Sequence, residues 1–372
     1  MRLGGKTLKI KGGKIMRKMK KVLSLALATA LCVSMAGCSS KPAETQAPKA
    51  EGQAEGSQEA AAPADDYHLV LKLSHVFAPE EQLTKTMDSI AANILERTNG
   101  AIEIQTYPQG QLATYKDGVE QVVRGADFIS VEDPSYLGDY VPDFNILAGP
   151  MLVNSCDEYE YLLETPEVQD MFKRAEEKGI KILSLDYIFG FRSLMTNKVI
   201  TKPEDLKGMK IRTPGSQLYV DTLNHMGATA TPLAFSETIS AVQQGVVDGL
   251  EGTIDAYATN GSAEVAKNMA MTKHLLGVCG AYISVDVWNK IPEEYRTIMQ
   301  EEFTKGAETM VKNISEGEEA TKQKLETEMG ISFNDVDNAA FAELVAPIYD
   351  NMKDVTPGLY DKFKEAIANM PK

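Results

Sequence analysis

Apolar and polar positions alternate along the chain in two registers that keep changing places. Leu69, Leu71 and Leu73 fall two apart, with Val70 and Lys72 between them, and predict a strand ending near Ser74-His75. From about Glu80 the spacing changes to that of a helix, with Leu83, Met87, Ile90, Ile94 and Leu95 on one face and Asn99-Gly100 as its stop. A strand (102–107), a helix (115–124, stopped by Gly125) and a third strand (128–131) follow. A second run of the same kind starts near Ile180. It contains a β-type run at Met209-Lys210-Ile211, a helical pattern from Ser216 (Leu218, Val220, Leu223, Met226, stopped by Gly227) and a strand over Val246–Leu250. Residues 292–329 read as one long, highly charged helix containing Gly306 and Gly317. Strand-helix-strand units of this length predict an α/β fold with helices on both faces of a sheet. Ligands of such sheets bind beyond the carboxyl ends of the strands, which puts His75-Val76-Phe77, Glu132-Asp133 and Arg212 at candidate mouths.

The first 66 residues are of another kind. Residues 17–38, RKMKKVLSLALATALCVSMAGC, combine a basic region, an apolar core and small residues at a cleavage point, the layout of a secretory signal. The core is short for a membrane span. Met35-Ala36-Gly37-Cys38 resembles a lipobox, which makes Cys38 the expected lipidation site and residues 1–37 the expected lipoprotein signal peptide; a start at Met16 or Met19 would shorten its basic region. Residues 39–66 contain no aromatic residue and no Leu, Ile, Val or Met, so 38–66 is expected to be a lipid-anchored, disordered tether. The chain carries 38 Lys+Arg against 53 Asp+Glu; nine of the basic residues precede Cys38, leaving 29 against 53, a net −24. That excess argues against nucleic acid as a partner. Once Cys32 and Cys38 are set aside, Cys156 and Cys279 remain, either as a pair or as small buried apolar residues.

One cation stands out in this acidic chain. Arg212 follows the Met209–Ile211 run and precedes Thr213-Pro214-Gly215 and a helix start. A guanidinium in that place forks onto an anion, and a helix N-terminus favours negative charge nearby. A structural ion pair is the competing role.

The segment holding Arg212 carries a resemblance. Pro203–Pro214 reads PEDLKGMKIRTP and Leu233–Gly249 reads LAFSETISAVQQGVVDG. Together they resemble the central signature of solute-binding proteins of tripartite ATP-independent periplasmic (TRAP) transporters, the DctP type. The similarity runs from about Leu69 to the C-terminus, through YPQGQLA (107–113) and PSYLGDYVPDF (134–144). It implies a two-lobed periplasmic-binding-protein-like fold with discontinuous domains, a hinge and a long bracing helix. The corresponding division is 67–189 plus about 278–317 for lobe 1, and 190–277 plus about 318–372 for lobe 2.

The resemblance also implies site residues. Arg212 would hold a substrate carboxylate and Arg192, in GFRSLMTN, would assist it; for Arg192 a structural ion pair competes closely. Phe235 would pack an apolar face on the ligand; Ser236, from its own place before the helix 237–244, reads as that helix's N-cap rather than a ligand contact. After V-D-G the family continues toward an asparagine that assists the clamp, but here the run is VDGLEGT. Gly252 therefore removes a donor and is expected to open space. Glu251 and Asp255, facing Glu132 and Asp133, would accept hydrogen bonds from ligand hydroxyls, with His75 at the mouth. This favours a hydroxylated monocarboxylate such as a hexuronate or aldonate, with C4-dicarboxylates or keto acids as alternatives. The partners implied are a two-part TRAP permease and the membrane, through the anchor at Cys38. A sensory binding protein feeding a receptor is the alternative role. The four histidines show no HExxH spacing, and neither CxxC nor G-x-S-x-G occurs, so no enzyme, metal or cofactor is expected.

Overall fold

The computed structural model describes residues 67–371; the expected signal peptide, Cys38 and the tether lie outside them. One nine-stranded sheet carries the fold. Strands β1 (Leu69–Ser74), β2 (Ile102–Tyr107) and β3 (Phe128–Glu132) run parallel, with β1 in the middle. Two strands of 17 residues follow in the chain, β4 (Ile180–Thr196) and later β8 (Asn268–Ser284). Between them lie β5 (Lys210–Thr213), β6 (Thr229–Pro232) and β7 (Gly249–Gly252), parallel to one another. The short β9 (Ser332–Asn334) pairs with the start of β8. The spatial order is β2-β1-β3-β8-β4-β7-β5-β6.

The two long strands join two half-sheets. The last residues of β8 pair with β3 and with the start of β4. The end of β4 pairs with β7, and the start of β8 with β9. Their antiparallel ladder is interrupted by register shifts between Ile182 and Leu194. In this stretch Gly190 lies opposite Gly277, at φ +97°, in the left-handed region that side chains rarely adopt. A Cβ on Gly277 would stand 2.7 Å from the Gly190 carbonyl oxygen and 2.7 Å from the Phe189 ring. The lobes are therefore joined where two backbones touch without intervening side chains, a place able to bend.

Each lobe has its own core. In the first, Leu71, Leu73, Ile129 and Val131 pack with Met87 and Ile90 on one face of the sheet, while Val119, Phe144, Tyr159 and Leu162 fill the other. In the second, Ile211, Leu218, Leu223 and Phe341 form one cluster, and Leu250, Tyr257, Met269 and Leu325 another. The 35-residue helix Glu293–Thr327 brackets both: Met299, Phe303 and Met310 enter the first lobe's core and Leu325 the second's. Gly306 lets it lie against the helix Gln82–Arg97, since a Cβ there would come within 2.4 Å of Ile90. Glu302 fixes the crossing by accepting from Asn93 and Arg97 at 2.8 and 2.7 Å.

β5 spans Lys210–Thr213, so Arg212 sits within its last residues. Several expectations are corrected. The strand read at Val246–Leu250 is β7 at Gly249–Gly252; Val246 is exposed on the turn before it. Among the described residues Ser236 makes no capping hydrogen bond. It lies inside a 3-10 turn (Phe235–Glu237), and the Glu237 carboxylate accepts from the Ala234 amide instead. The last helix, Leu359–Ala368, buries Leu359 and Phe363 in the first lobe beside Phe144 and Tyr159, whereas the division above gave 318–372 to the second. Asp143 ties the crossing segment down, accepting from the Thr356 amide and hydroxyl at 2.6 and 2.7 Å. Cys156 and Cys279 are both free thiols.

Candidate ligand-binding cleft

The carboxyl ends of β1, β3, β5 and β7 all open on one cleft between the lobes, as parallel strands in an open sheet direct. The lobes stand close together over it, leaving a cavity of about 60 Å³. Of the residues singled out from sequence, Arg192, Arg212, Phe235, Glu132, Asp133, Glu251 and Gly252 line it together. His75 and Asp255 do not.

Arg212 is 2% exposed. Its Nε and Nη2 both donate to one neutral acceptor, the Leu233 carbonyl, at 3.1 and 2.8 Å, and the guanidinium lies 5.4 Å from the centre of the Phe235 ring. Among the described residues no carboxylate pairs with it. Removing a full charge from water without a counter-charge is costly, so a cation held this way is prepared for an anion.

Arg192 is in a different position. Its Nε and Nη2 fork onto both oxygens of Glu251, at 2.5 and 2.7 Å, and its guanidinium lies 5.1 Å from the centre of the Tyr219 ring. Burial opposes ionisation of Glu251, but Arg192 and the nearby His274 outweigh it and hold the carboxyl at about 2. His274 stands behind, its Nε2 3.8 Å from Glu251 and its Nδ1 2.8 Å from the Thr272 hydroxyl; burial lowers its pKa and keeps it neutral. Arg192 thus enters the cleft as half of a neutral pair.

Gly252 does not open the space expected of it. A Cβ there would meet the Tyr257 ring at 3.2 Å, so the tyrosine fills that volume. The Tyr257 hydroxyl lies 2.9 Å from the Ser193 carbonyl oxygen, which locks the ring in place.

The acids of the first lobe divide in the same way. Asp133 caps the turn Pro134–Asp139, accepting from the Ser135 amide at 2.8 Å, and receives the Tyr219 hydroxyl at 2.5 Å. Glu132 accepts from the Tyr115 amide at 2.6 Å, and burial raises its pKa to about 8. Asp255 lies in a neighbouring pocket with Gln82, Asn313 and Glu318, held by the Gln82 amide. His75 is fully buried against Phe77, with neither ring nitrogen partnered among the described residues; burial lowers its pKa to about 4, so it is neutral. The residues after it, Val76 and Phe77, reach the cleft instead.

Four tyrosines escaped the sequence reading: Tyr115, Tyr136, Tyr219 and Tyr257 all line the cleft. The Phe235 amide donates to the Tyr115 hydroxyl at 3.1 Å, joining the lobes. The buried hydroxyls of Tyr136 and Thr253 have no partner among the described residues. Position relative to the acidic pair and to Arg212 was the available signal. Tyr136 follows Glu132-Asp133 closely, and Tyr219 sits in the first turns of the helix after Arg212.

Two α/β lobes, a bendable pair of crossing strands and a buried cation in the cleft between them define a solute-binding protein. The chain belongs to the bacterial extracellular solute-binding proteins of family 7, whose model matches residues 73–354. These are extracytoplasmic TRAP binding proteins that hold small acid ligands and work with a membrane permease; they are not enzymes. A solved TRAP periplasmic solute-binding protein from Desulfovibrio salexigens, in complex with diglycerolphosphate, is 56% identical with a TM-score of 0.80, covering 81% of this chain and 97% of its own. One from Fusobacterium nucleatum with bound sn-glycerol-3-phosphate is 44% identical, with a TM-score of 0.79 and coverage of 81% and 97%. One from Actinobacillus succinogenes with bound L-galactonate is 29% identical, with a TM-score of 0.77 and coverage of 81% and 100%.

Proposed function

We propose that this chain captures a small hydroxylated anion, most specifically a phosphate ester of glycerol, and delivers it to a TRAP-type permease from a lipid anchor at Cys38. The observation that carries the anion is Arg212, buried in the cleft with a backbone carbonyl in place of a counter-charge. Phosphate is supported by the spare donors around it. A phosphoryl group offers more acceptor oxygens than a carboxylate, and the Tyr136 and Thr253 hydroxyls stand unpartnered in the lining. The two relatives of highest identity named above hold glycerol phosphates, which argues in the same direction.

In this reading Arg212 seats the anion. The neutral Arg192–Glu251 pair, with Asp133, takes the hydroxyls, and Phe235 covers an apolar edge. Closure then follows from contacts that exist only when both lobes meet the ligand, and no bond is broken. A second reading, a hexuronate or aldonate, has its own support. Carboxylate acceptors suit a polyol chain, and the L-galactonate-bound relative shares the fold.

A thermal-shift screen of the protein from Asp66 onward separates the two. A ligand binding only the native state raises the melting temperature with its occupancy. The panel is sn-glycerol 3-phosphate, diglycerol phosphate, hexuronates, aldonates, C4-dicarboxylates and keto acids. A shift with glycerol phosphates alone supports the first reading, and one with sugar acids alone supports the second. A shift with dicarboxylates or keto acids alone discards both.

A further inference from the structure

We propose that Glu132 holds a proton in the closed cleft and presents it to an anionic oxygen of the ligand, so that this residue selects a fully ionised oxygen at that place. The inference rests on the reading of Arg212 as the anion seat.

The geometry leaves Glu132 little alternative. It is 3% exposed, at the end of β3. One oxygen accepts from the Tyr115 amide; the other has no partner among the described residues, and the side chain lines the cleft. Among the described residues no guanidinium reaches it, because Arg192 is forked onto Glu251 and Arg212 onto the Leu233 carbonyl. The groups facing it are Asp133 beside it, Tyr115 and Tyr136 from the segments packed over it, Cys279 and Tyr282 from β8, and Arg212 across the cleft. Tyr282 spends its hydroxyl on the Glu132 backbone carbonyl.

Charge then decides. Arg192 cancels Glu251. Asp133 accepts from the Ser135 amide and the Tyr219 hydroxyl, which favour its carboxylate, but burial outweighs them and raises its pKa, so it supplies no settled charge to set against Arg212. An anion on Arg212 uses up the one cleft guanidinium that no carboxylate pairs among the described residues. An ionised Glu132 would add a buried charge with no counterpart, and one that repels the ligand. A proton on the free oxygen removes that charge and converts an acceptor into a donor aimed at the ligand. The same burial, with Asp133 adding to it against the Tyr115 amide, raises the group to about 8 even before an anion arrives. An anion raises it further, so binding takes up a proton on the alkaline side.

The test is calorimetry on the full chain and on Glu132→Gln, with sn-glycerol 3-phosphate and L-galactonate as probes. With whichever binds, wild-type affinity falls roughly tenfold per pH unit above about pH 8, and heats in two buffers of different ionisation enthalpy report proton uptake. Glu132→Gln flattens the profile and abolishes the uptake. A flat wild-type profile, or a variant as steep as wild type, overturns the inference. Should neither probe bind, the ligand reading falls by itself, and infrared difference spectra of the two ligand-free proteins at neutral pH decide the proton. A protonated carboxyl band lost in the variant supports it; no such band overturns it.

Discussion

The Tyr219 hydroxyl, in the second lobe, donates to the Asp133 carboxylate in the first across 2.5 Å, closing the cleft beside Arg192. Ser135 and Ser216 meet nearby, oxygen to oxygen, at 2.8 Å. These contacts exist only while the lobes are together, so they bias the open-closed equilibrium without touching the anion seat.

Tyr219→Phe removes the donor and keeps the ring against Arg192. A hydrogen bond to a charged acceptor contributes about 1.5–3 kcal/mol, so affinity is expected to fall by roughly tenfold or more. Stopped-flow measurement should assign most of the loss to faster ligand release. Unchanged release would mean that the contact does not hold the lobes.

Arg212→Ala leaves the ligand anion buried without its cation. A loss of several kcal/mol, about a hundredfold or more in affinity, is expected by calorimetry. Arg212→Lys keeps the charge and loses the fork, so it should restore only part of the binding. An alanine variant that binds as wild type would misassign the seat.

Glu251 couples the cleft to acid stability. Its folded value of about 2 lies below the ordinary 4.5, so the stabilisation it supplies is complete above about pH 4.5 and is lost as pH falls toward 2. At about 1.36 kcal/mol per pKa unit this amounts to roughly 3 kcal/mol. Glu81 and Glu132, both raised to about 8 by burial, act in the opposite sense and cost stability as pH rises from 4.5 toward 8. Denaturant titrations should therefore show a maximum on the mildly acidic side. In Glu251→Gln the acid limb should flatten and the whole curve should drop, because Arg192 is left buried and unpaired.

Gly277→Ala places a methyl group 2.7 Å from the Gly190 carbonyl oxygen and from the Phe189 ring, inside the joint between the lobes. Overpacking of this kind costs about 1–3 kcal/mol. The variant should melt lower and close less completely, which small-angle scattering with and without ligand would detect.

The repeating units at both ends of the sheet were legible because their periodicity is local. Leu71 and Leu73 alternate cleanly, and Leu83, Met87, Ile90 and Ile94 mark a helix unambiguously. The joint between the lobes was not legible. β4 and β8 are buried on both faces for most of their length and interrupted by bulges, so neither shows a period. In the cleft, the positions of Arg212 and the Glu132-Asp133 pair followed from strand ends alone. The role of Arg192 did not, since its partner Glu251 lies 59 residues away and only the β4–β7 pairing brings them together. The fate of Gly252 depended on a ring five positions ahead in the next helix, a relationship that no spacing rule states.

The final helix, Leu359–Ala368, returns the chain to the first lobe after Phe341 and Ile348 have packed in the second. A door hung on two adjacent straps can twist as well as swing. The helix Glu293–Thr327 is a third strap, and the Thr356 segment, riveted to Asp143, adds a fourth away from the others. Each added link removes ways for the lobes to twist against one another, which favours a closure that returns Arg212 to the same wall of the opposite lobe.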